Sequence, residues 1–340
     1  MKKTVCFGEI MMRLNPPGYL RIKQATTFES SYAGGEANVA VSLANYGLPA
    51  VFVSKLPQND LSESCLRVLR GYGVDVSKIS FGGDRLGLYF VEKGASQRPS
   101  KVIYDRKGSS IAAAVQSDFD WDNIFEDAGW FHFTGITPAL SDSLADICTI
   151  ACKEAKKRGI TISCDLNFRK NLWTSEKAGK VMGTLMQYVD VCIANEEDAD
   201  KVFGIRPAEN NVEAEKINRE GYTDVARALC QRFGCGKVAV TLRESINANE
   251  NNWSGMLYEN GKSCFSKKYS MRIVDRVGGG DSFGGALIYA LQSGYTQQDA
   301  IEFAAAASCL KHSIPFDFNQ VSVEEVQNLM NGDSSGRVKR

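Results

Sequence analysis

The chain of 340 residues lacks several features that mark common classes of protein. It has only two histidines, His132 and His312, so a metal site built from histidine is not expected. Lys plus Arg and Asp plus Glu number 40 each, and the resulting zero net charge argues against nucleic acid or an anionic membrane as the main partner. No stretch approaches the roughly 18 apolar residues that span a bilayer. Glu9 and Arg13 interrupt the first apolar run, so no signal peptide is predicted.

The cysteines also lack a pattern. None of the ten forms a C-x-x-C pair, and Cys6, Cys164 and Cys192 stand inside apolar runs. This usage favours buried thiols in a reducing cytoplasm over a disulfide or metal framework. The 44% of hydrophobic residues is enough for a proper core, and the length suggests one large or two smaller domains.

Most of the chain alternates between apolar strand-like runs and helical patterns. Such alternation predicts a parallel sheet covered by helices on both faces, an α/β fold. The predicted strands are 4–10, 50–55, 129–134, 160–165, 190–194 and 237–242, and a hairpin of 253–259 and 262–269 turns at Asn260-Gly261. The predicted helices are 35–46, 60–71, 141–158, 175–188, 196–203, 222–233, 281–292, 297–311 and 322–330.

Two stretches depart from this alternation. Residues 19–32 are polar and β-like, and 86–93 with 101–105 look like a strand pair joined by a polar turn without a helix. These stretches predict a separate small sheet. Residues 331–340 are polar, and a frayed tail is expected there.

The predicted core strands end in small or polar residues, namely Thr134, Asp165, Asn167, Asn195 and Thr241. In open α/β sheets the ligand lies beyond the carboxyl ends of the strands. These side chains are therefore expected to frame one cleft, although strands also end in turn residues for structural reasons alone.

The stretch from Asp275 to Gly285 carries the strongest chemical signal. Gly278, Gly279 and Gly280 can bring several N–H groups to one point, and a helical pattern starts at Asp281. Glycines that run into a helix N-terminus form an anion site, and an adjacent carboxylate can accept a hydroxyl proton during phosphoryl transfer. A plain N-cap role for Asp281 remains an alternative. The P-loop and dinucleotide fingerprints are excluded, because Asp281-Ser282 stands where Lys-Ser/Thr would follow and Phe283 where a third Gly would stand.

Two motifs, about 240 residues apart, resemble the signatures of the ribokinase-like (PfkB) carbohydrate kinases. They are Gly34-Gly35-Glu36-Ala37-Asn38-Val39-Ala40 and Asp275-x-x-Gly278-x-Gly280-Asp281. The resemblance implies a three-layer α/β/α sandwich with a mostly parallel central sheet, formed by 1–10, 34–84 and 109–330. It implies a β-sheet lid formed by 11–33 and 85–108, which pairs subunits in a homodimer or a larger oligomer. It also implies ATP as co-substrate, Mg²⁺ as cofactor, Asp281 as catalytic base, and stabilisation of the transferred phosphoryl group by Gly278, Gly279 and Gly280.

Within this family the pattern resembles members that phosphorylate 2-keto-3-deoxygluconate at its primary hydroxyl. The substrate-binding positions that this implies are Gly34, Gly35, Asn38, Tyr89, Tyr104, Arg106, Arg169 and Asp317. Arginine suits a sugar acid because its guanidinium binds carboxylates bidentately. Surface charge for the arginines and packing for the tyrosines remain alternatives, as do a neutral sugar (fructose or ribose) and a non-catalytic sugar-binding protein.

Other positions depart from the family pattern or match it only in part. Arg13 aligns where neutral-sugar members have Asp, which favours an anionic substrate. The Mg²⁺-linked Asn-x-x-Glu motif appears as Asn195-x-x-Asp198, with Asp198 expected to act through water. Arg243 follows Thr241 where relatives have Gly, and we expect it at the nucleotide phosphates together with Asn167, Asn195, Thr241, Gly278 and Gly280. The resemblance also allows a monovalent cation beside Asp275. We expect a low resting pKa for Asp281 at the helix N-terminus.

Overall fold

The computed structural model of the chain describes residues 2–195, 197–206 and 219–333, so the predicted tail lies outside the described residues from position 334 onward. The strands run over Lys3–Phe7 (β1), Met11–Asn15 (β2), Glu29–Ala33 (β3), Ala50–Val53 (β4), Lys55–Leu56 (β5), Ser80–Phe81 (β6), Gly87–Glu92 (β7), Lys101–Asp105 (β8), Ala128–Thr134 (β9), Thr161–Asp165 (β10), Val191–Asn195 (β11), Lys237–Ser245 (β12), Glu250–Glu259 (β13), Lys262–Phe265 (β14) and Tyr269–Arg272 (β15). The α-helices run over Gly35–Asn45 (α1), Asp60–Gly71 (α2), Trp121–Ile124 (α3), Ile136–Ala139 (α4), Asp142–Lys157 (α5), Ser175–Leu185 (α6), Asp198–Phe203 (α7), Arg219–Phe233 (α8), Gly279–Gln292 (α9), Gln297–Lys311 (α10) and Val323–Met330 (α11).

A large, mostly parallel sheet forms the centre of the molecule. Its strands lie in the order β14-β13-β12-β11-β10-β9-β1-β4, and β15 also pairs with β13. The pairs from β4 to β12 are parallel, whereas β13 is antiparallel to its three neighbours. The predicted α/β class with a mostly parallel central sheet is confirmed.

Side chains alternate between two hydrophobic cores, one on each face of this sheet. In β9, Phe131 and Phe133 pack in the core that also contains residues of α5, α6 and α8, while Trp130 packs in the core formed with α1, α2, α9 and α10. In β11, Cys192 and Ile193 divide in the same way. Successive residues of a strand point to opposite faces, so a continuous apolar run indicates burial on both sides. The three-layer arrangement follows from this.

A second, smaller sheet contains β2, β3, β7 and β8 in the order β3-β2-β7-β8. β7 and β8 are antiparallel, as the alternating pattern of that region predicts, and β2 joins the two halves through antiparallel pairing with β3 and parallel pairing with β7. The four strands lie within 11–33 and 85–108. The outermost strand, β8, is exposed along its whole length.

Several predicted boundaries are wrong by two or three residues, among them the end of β1 and the start of α8, and two of the differences have a clear cause. α9 begins at Gly279, two residues earlier than predicted, because Gly278 acts as its N-cap in the left-handed conformation (φ +81°). The second strand of the predicted hairpin divides into β14 and β15, because the chain leaves β13 at Ser266. The amide of Lys267 donates to Glu302 of α10 at 2.9 Å instead of continuing the ladder. Within the described ranges, no helix is long and apolar enough to cross a membrane.

Candidate active site

Two adjoining cavities open where the parallel strands end. The small-sheet cavity lies between the small sheet and the N-terminus of α9, and is lined by Glu9, Met11, Ala33, Gly34, Gly35, Glu36, Asn38, Tyr89, Tyr104, Arg106, Ile136, Asn167, Arg169, Val277, Asp281 and Asp317. The strand-end cavity is lined by Asp165, Asn167, Arg169, Ile193, Ala194, Asn195, Thr241, Arg243, Asn251, Trp253, Arg276, Val277, Gly278, Gly280, Asp281 and His312. Both sets contain Asn167, Arg169, Val277 and Asp281, so these residues form the boundary between the cavities.

The N-terminus of α9 faces this boundary. Gly278 has no room for a side chain, because a Cβ there would overlap the Asp317 carbonyl oxygen. The first-turn amides of an α-helix have no acceptor four residues back, so those of Gly280 and Asp281 are available to an anion. Gly280 has open space beside it, whereas the Gly279 amide points to the Arg276 carbonyl at 3.4 Å. Of the three predicted glycines, Gly278 and Gly280 line the strand-end cavity and Gly279 packs against His312 instead.

Asp281 is the third residue of α9 and is held by a residue from the N-terminal motif. The side-chain amide of Asn38 donates to Asp281 Oδ2 at 2.6 Å, and the Asn38 oxygen accepts the Gly34 amide at 3.4 Å. Burial raises the pKa of Asp281 to about 6, and the hydrogen bond from Asn38 opposes that rise. The expectation of a low resting pKa is therefore wrong, because loss of water outweighs the helix N-terminus.

All eight residues predicted to bind substrate line the small-sheet cavity. Gly34 is required by close packing, because a Cβ there would overlap the Glu9 carbonyl oxygen. At Gly35 a Cβ would lie 3.6 Å from Asp281 Oδ1, so the absence of a side chain keeps this carboxylate accessible. The two glycines of the motif thus serve different purposes, one in packing and one in access to Asp281.

Arg169 is the cation at the boundary of the two cavities. It follows β10 by four residues and forms no ion pair with the part of the chain that the structure describes. Its positive charge opposes the rise in the pKa of Asp281 and of Asp165 that burial causes. A guanidinium in this position is available to an anionic group in either cavity.

Arg106, the other predicted arginine, has a partner that the sequence did not reveal. Its Nε donates to Glu9 Oε2 at 2.7 Å, its Nη2 contacts the same oxygen, and Ser109 donates to Glu9 Oε1 at 2.6 Å. The guanidinium also lies 5.3 Å from the centre of the Tyr104 ring. Arg106 therefore reaches the cavity as part of an ion pair with the buried Glu9, not as a free cation.

The two predicted tyrosines stack on each other with their ring centres 6.0 Å apart. Tyr89 is 4% exposed and Tyr104 is 43% exposed. Burial and the neighbouring Asp317 raise the pKa of Tyr89 well above its usual value, so this hydroxyl stays protonated. The pair presents one buried and one accessible ring to the small-sheet cavity.

Arg13 has a different place from the one its alignment suggested. Its side chain is fully buried and binds Asp275 Oδ2 and Asp317 Oδ1, both at 2.6 Å. Arg13 was interpreted as a sign of an anionic substrate. That interpretation of Arg13 is wrong, because its guanidinium is already bound to the carboxylates of Asp275 and Asp317 and is not available to a substrate. Asp317 likewise reaches the cavity with one oxygen already paired, and burial raises its pKa despite Arg13.

All six residues predicted to bind nucleotide line the strand-end cavity, namely Asn167, Asn195, Thr241, Arg243, Gly278 and Gly280. Asn195 lies beside Thr241 in the parallel pairing of β11 with β12, as expected of neighbouring strand ends. Sequence reasoning missed a second cation, Arg276, whose pKa is lowered first by burial and then by the nearby charge of Arg243. Two arginines that repel each other favour a polyanion between or beside them.

The two residues predicted at the metal site differ in their access to the strand-end cavity. Asp198 is buried and does not line the cavity, and its oxygens accept the Phe168 and Asn195 amides, each at 3.1 Å. Asn195 does line the cavity, and its side chain accepts the amides of Glu197 and Asp198. Two carboxylates line this cavity, Asp281 and Asp165, and sequence reasoning placed Asp165 only in the cleft without a metal role. In the described ranges, no cluster of three or more His, Cys, Asp or Glu side chains could hold a metal alone.

The chemistry of this arrangement is specific. A carboxylate with a pKa of about 6 lies at the boundary of two cavities, beside a helix N-terminus suited to an anion and an arginine that has no ion-pair partner among the described residues. One cavity is suited to a hydroxyl-bearing acceptor and the other, with its two arginines, to a polyphosphate. The fold and the site thus define a phosphotransferase that acts on an alcohol group.

Comparison with known proteins agrees with this class. The family model described as "pfkB family carbohydrate kinase" matches residues 1–313. The chain therefore belongs to the pfkB family of carbohydrate kinases, and the predicted resemblance is confirmed.

Among the similar proteins are three that are described as 2-dehydro-3-deoxygluconokinase or 2-dehydro-3-deoxygalactonokinase. The crystal structure of 2-dehydro-3-deoxygluconokinase from Thermotoga maritima is 52% identical, covers 97% of this chain and 98% of that one, and superposes with a TM-score of 0.93. The 2-dehydro-3-deoxygalactonokinase of Haloferax volcanii is 32% identical over 98% of both chains. The 2-dehydro-3-deoxygluconokinase of Thermoproteus tenax is 29% identical over 91% of this chain and 88% of its own.

Proposed function

We propose that this kinase transfers the γ-phosphoryl group of ATP to the primary hydroxyl of 2-keto-3-deoxygluconate (2-dehydro-3-deoxygluconate), giving the 6-phosphate. The observation that carries the proposal is the position of Arg169, a cation that lies in the same cavity as Asp281 and forms no ion pair with the described residues. A sugar acid brings a carboxylate that such a guanidinium binds strongly. The descriptions of the similar proteins from Thermotoga maritima and Thermoproteus tenax support this substrate.

The reaction needs one proton acceptor and one stabiliser of negative charge. The substrate hydroxyl oxygen attacks the γ-phosphorus, its proton passes to a carboxylate oxygen of Asp281, and the bond to the β-phosphate oxygen breaks to release ADP. The amides of Gly280 and Asp281 and the dipole of α9 stabilise the charge on the phosphoryl oxygens. Asn38 holds Asp281 in place, since it donates at 2.6 Å to Oδ2.

We place ATP in the strand-end cavity. Arg243 and Arg276 supply positive charge there, and Gly278 and Gly280 open the approach to the N-terminus of α9. The γ-phosphate would then point toward Asp281 at the boundary of the two cavities.

Magnesium fits Asp165, one of the two carboxylates that line the strand-end cavity. Burial and the charges of Asp198 and Asp281 raise the pKa of Asp165 well above its usual value, so a nearby cation would relieve the repulsion. Asp165 is the group that would hold the ion together with phosphate oxygens and water, because the Asn195 side-chain oxygen already accepts two backbone amides. When bound, Mg²⁺ neutralises charge on the phosphates. The Mg²⁺ dependence of ADP binding to Asp165→Asn, measured by calorimetry, tests this assignment without turnover.

A coupled assay of ADP release over a panel of substrates tests the function. We expect release with 2-keto-3-deoxygluconate and a much lower kcat/KM with fructose and ribose. The C4 epimer, 2-keto-3-deoxygalactonate, belongs in the panel because the Haloferax volcanii relative is described by that sugar. Asp281→Asn serves as the inactive control, with kcat lowered by roughly 10²–10⁴. A preference for fructose or ribose would replace the sugar-acid assignment with a neutral-sugar kinase.

We further propose that the small sheet covers the substrate and pairs with a second subunit as a homodimer. Its outermost strand presents Val102, Ile103 and Tyr104 to solvent, each about two-fifths exposed. An exposed edge strand with apolar side chains is normally covered by a partner. Sedimentation at micromolar concentration tests this, and a strict monomer contradicts it.

A cytoplasmic location also belongs to the proposal. The ten cysteines are free thiols, seven of them buried. Thiols persist in a reducing compartment, where ATP and sugar acids are also available to a kinase.

A further inference from the structure

The glycine turn before α9 rests on a buried cation that the chain itself supplies. Lys311 is the last residue of α10, and it is fully buried. Its ammonium donates to three backbone carbonyls, those of Asp275 at 3.3 Å and Phe316 at 2.5 Å and that of Val277. The three carbonyl oxygens surround the ammonium as carbonyl ligands surround a bound monovalent metal ion.

The three carbonyls belong to the two segments that shape the turn. Asp275 and Val277 lie in the three residues before Gly278, and Phe316 precedes Asp317, whose carbonyl oxygen packs against the Gly278 Cα. Phe316 has a positive φ of 64°, an unfavourable angle for a phenylalanine. Two hydrogen bonds offset this backbone strain. The Phe316 amide donates to Asp275 Oδ2 at 3.2 Å, and the Phe316 carbonyl accepts from the Lys311 ammonium.

The surrounding charges balance within the protein. Arg13 and Lys311 provide two buried positive charges, and Asp275 and Asp317 provide two buried negative charges. Without the ammonium, three carbonyl oxygens would face one another and the cluster would carry a net negative charge. Such a gap would take a small cation from solution or would open by movement of the turn.

We propose that the Lys311 ammonium is a built-in cation that fixes the phosphate-binding turn in the place of a free monovalent cation. On this proposal Lys311 and Arg13 take the place of the monovalent cation that the family resemblance allowed beside Asp275, since Lys311 binds the Asp275 carbonyl and Arg13 the carboxylate. Lys311 is a positioning residue, because it acts on the turn through backbone carbonyls and does not line either cavity. The inference rests on the proposed function in assuming that the turn receives a phosphate of ATP.

The test compares wild type, Lys311→Met and Lys267→Met in buffers of equal ionic strength containing choline, K⁺, Na⁺ or NH₄⁺. Lys267 is the matched control, because its ammonium also donates to a backbone carbonyl, that of Met330 at 2.5 Å, but at an exposed site. Calorimetry measures the affinity for ADP with Mg²⁺, and thermal melting measures stability. Neither readout depends on which sugar is the substrate, so a failure of the sugar-acid assignment leaves this test intact.

We expect wild type and Lys267→Met to bind ADP equally in all four buffers. Lys311→Met should bind ADP about tenfold or more weakly in choline, and K⁺, Na⁺ or NH₄⁺ should restore both affinity and melting temperature. ADP binding by wild type that requires K⁺ would overturn the proposal. So would a Lys311→Met protein that binds ADP normally in choline, or one that none of the cations restores. If Lys311→Met does not fold, Lys311→Gln replaces it, and the wild-type measurement still decides whether a free cation is needed.

Discussion

The side-chain amide of Asn38 donates to Asp281 Oδ2 at 2.6 Å, across 243 residues of sequence. This bond joins the two motifs of the chain, one at the start of α1 and one at the start of α9. Asn38 was expected to bind substrate, and it does line the small-sheet cavity, but its side-chain amide donates to Asp281, the proposed catalytic base. The bond stabilises the ionised form of Asp281 against the burial that raises its pKa to about 6.

The first prediction follows from the sign of that effect. Asp281 must be ionised to accept a proton, so activity of the wild type should fall as pH drops below about 6. Asn38→Ala removes a hydrogen bond to the charged form, which raises the pKa further and moves the acidic limb to higher pH by about one unit. The pH dependence of kcat/KM measures the shift. Asn45→Ala is the control, since Asn45 lies on the same helix and donates to the Asn319 carbonyl instead. An unmoved acidic limb in Asn38→Ala contradicts the assignment.

The second prediction concerns the ion pair between Arg106 and Glu9. Removal of Arg106 leaves the Glu9 carboxylate buried and unpaired in the wall of the substrate cavity. Arg106→Ala should therefore raise the KM for the sugar acid by about tenfold or more, partly through repulsion by Glu9. The double variant Glu9→Gln/Arg106→Ala should recover part of this loss. A double-mutant cycle measures how far the effects of the two substitutions on KM depend on each other. Purely additive effects would show that the ion pair between Arg106 and Glu9 does not contribute to substrate binding.

Local patterns in the sequence were sufficient for most elements of the fold. Periodicity predicts β9, β10, β11 and β12 and the helices between them. A strand that is buried on both faces has a continuous apolar run, and such a run is easy to recognise in a sequence. The residues expected at the cleft do line the two cavities, because strand ends in a parallel sheet meet at one edge. The exceptions are Gly279, which packs against His312, Asp198, whose oxygens accept backbone amides, and Thr134, which is buried and donates to Glu36 instead of lining a cavity.

What the sequence did not reveal depends on contacts between distant residues. Arg13 is 262 residues from Asp275 and 304 from Asp317, so no local pattern shows that its charge is already neutralised. The break between β14 and β15 depends on Glu302, which takes the Lys267 amide from another element. The pKa of Asp281 depends on burial, whereas the sequence shows only its place at a helix N-terminus.

The third prediction concerns the stability that Arg13 provides. Arg13→Met leaves two carboxylates buried without their partner, and loss of one member of a buried ion pair typically costs about 3–5 kcal/mol. The unpaired carboxyl groups would have raised pKa values in the folded protein, so the loss should shrink as pH falls and protonation removes their charge. Urea unfolding at pH 7 and pH 5 measures both effects. Lys177→Ala, which breaks an exposed pair with Asp142, should change stability by less than about 1 kcal/mol. Equal losses for the two variants would contradict the burial argument.

The last prediction separates two roles for Arg169 at the boundary of the cavities. If Arg169 binds the substrate carboxylate, Arg169→Ala raises the KM for 2-keto-3-deoxygluconate by roughly 10- to 150-fold, as expected for a hydrogen bond to a charged group worth about 1.5–3 kcal/mol. The KM for ATP and the slow turnover of a neutral sugar should then change little. Arg169→Lys should restore only part of the affinity, because an ammonium cannot bind a carboxylate bidentately.

The comparison of KM with kcat decides the assignment. A guanidinium that instead served the moving phosphoryl group would leave the KM for the acid unchanged and lower kcat for every substrate, because that interaction exists only in the transition state. Arg67→Ala, on the exposed side of α2 and outside both cavities, controls for the general effect of losing an arginine. An unchanged KM for the acid in Arg169→Ala, with the Arg67→Ala control behaving as wild type, would remove the observation on which the sugar-acid substrate rests.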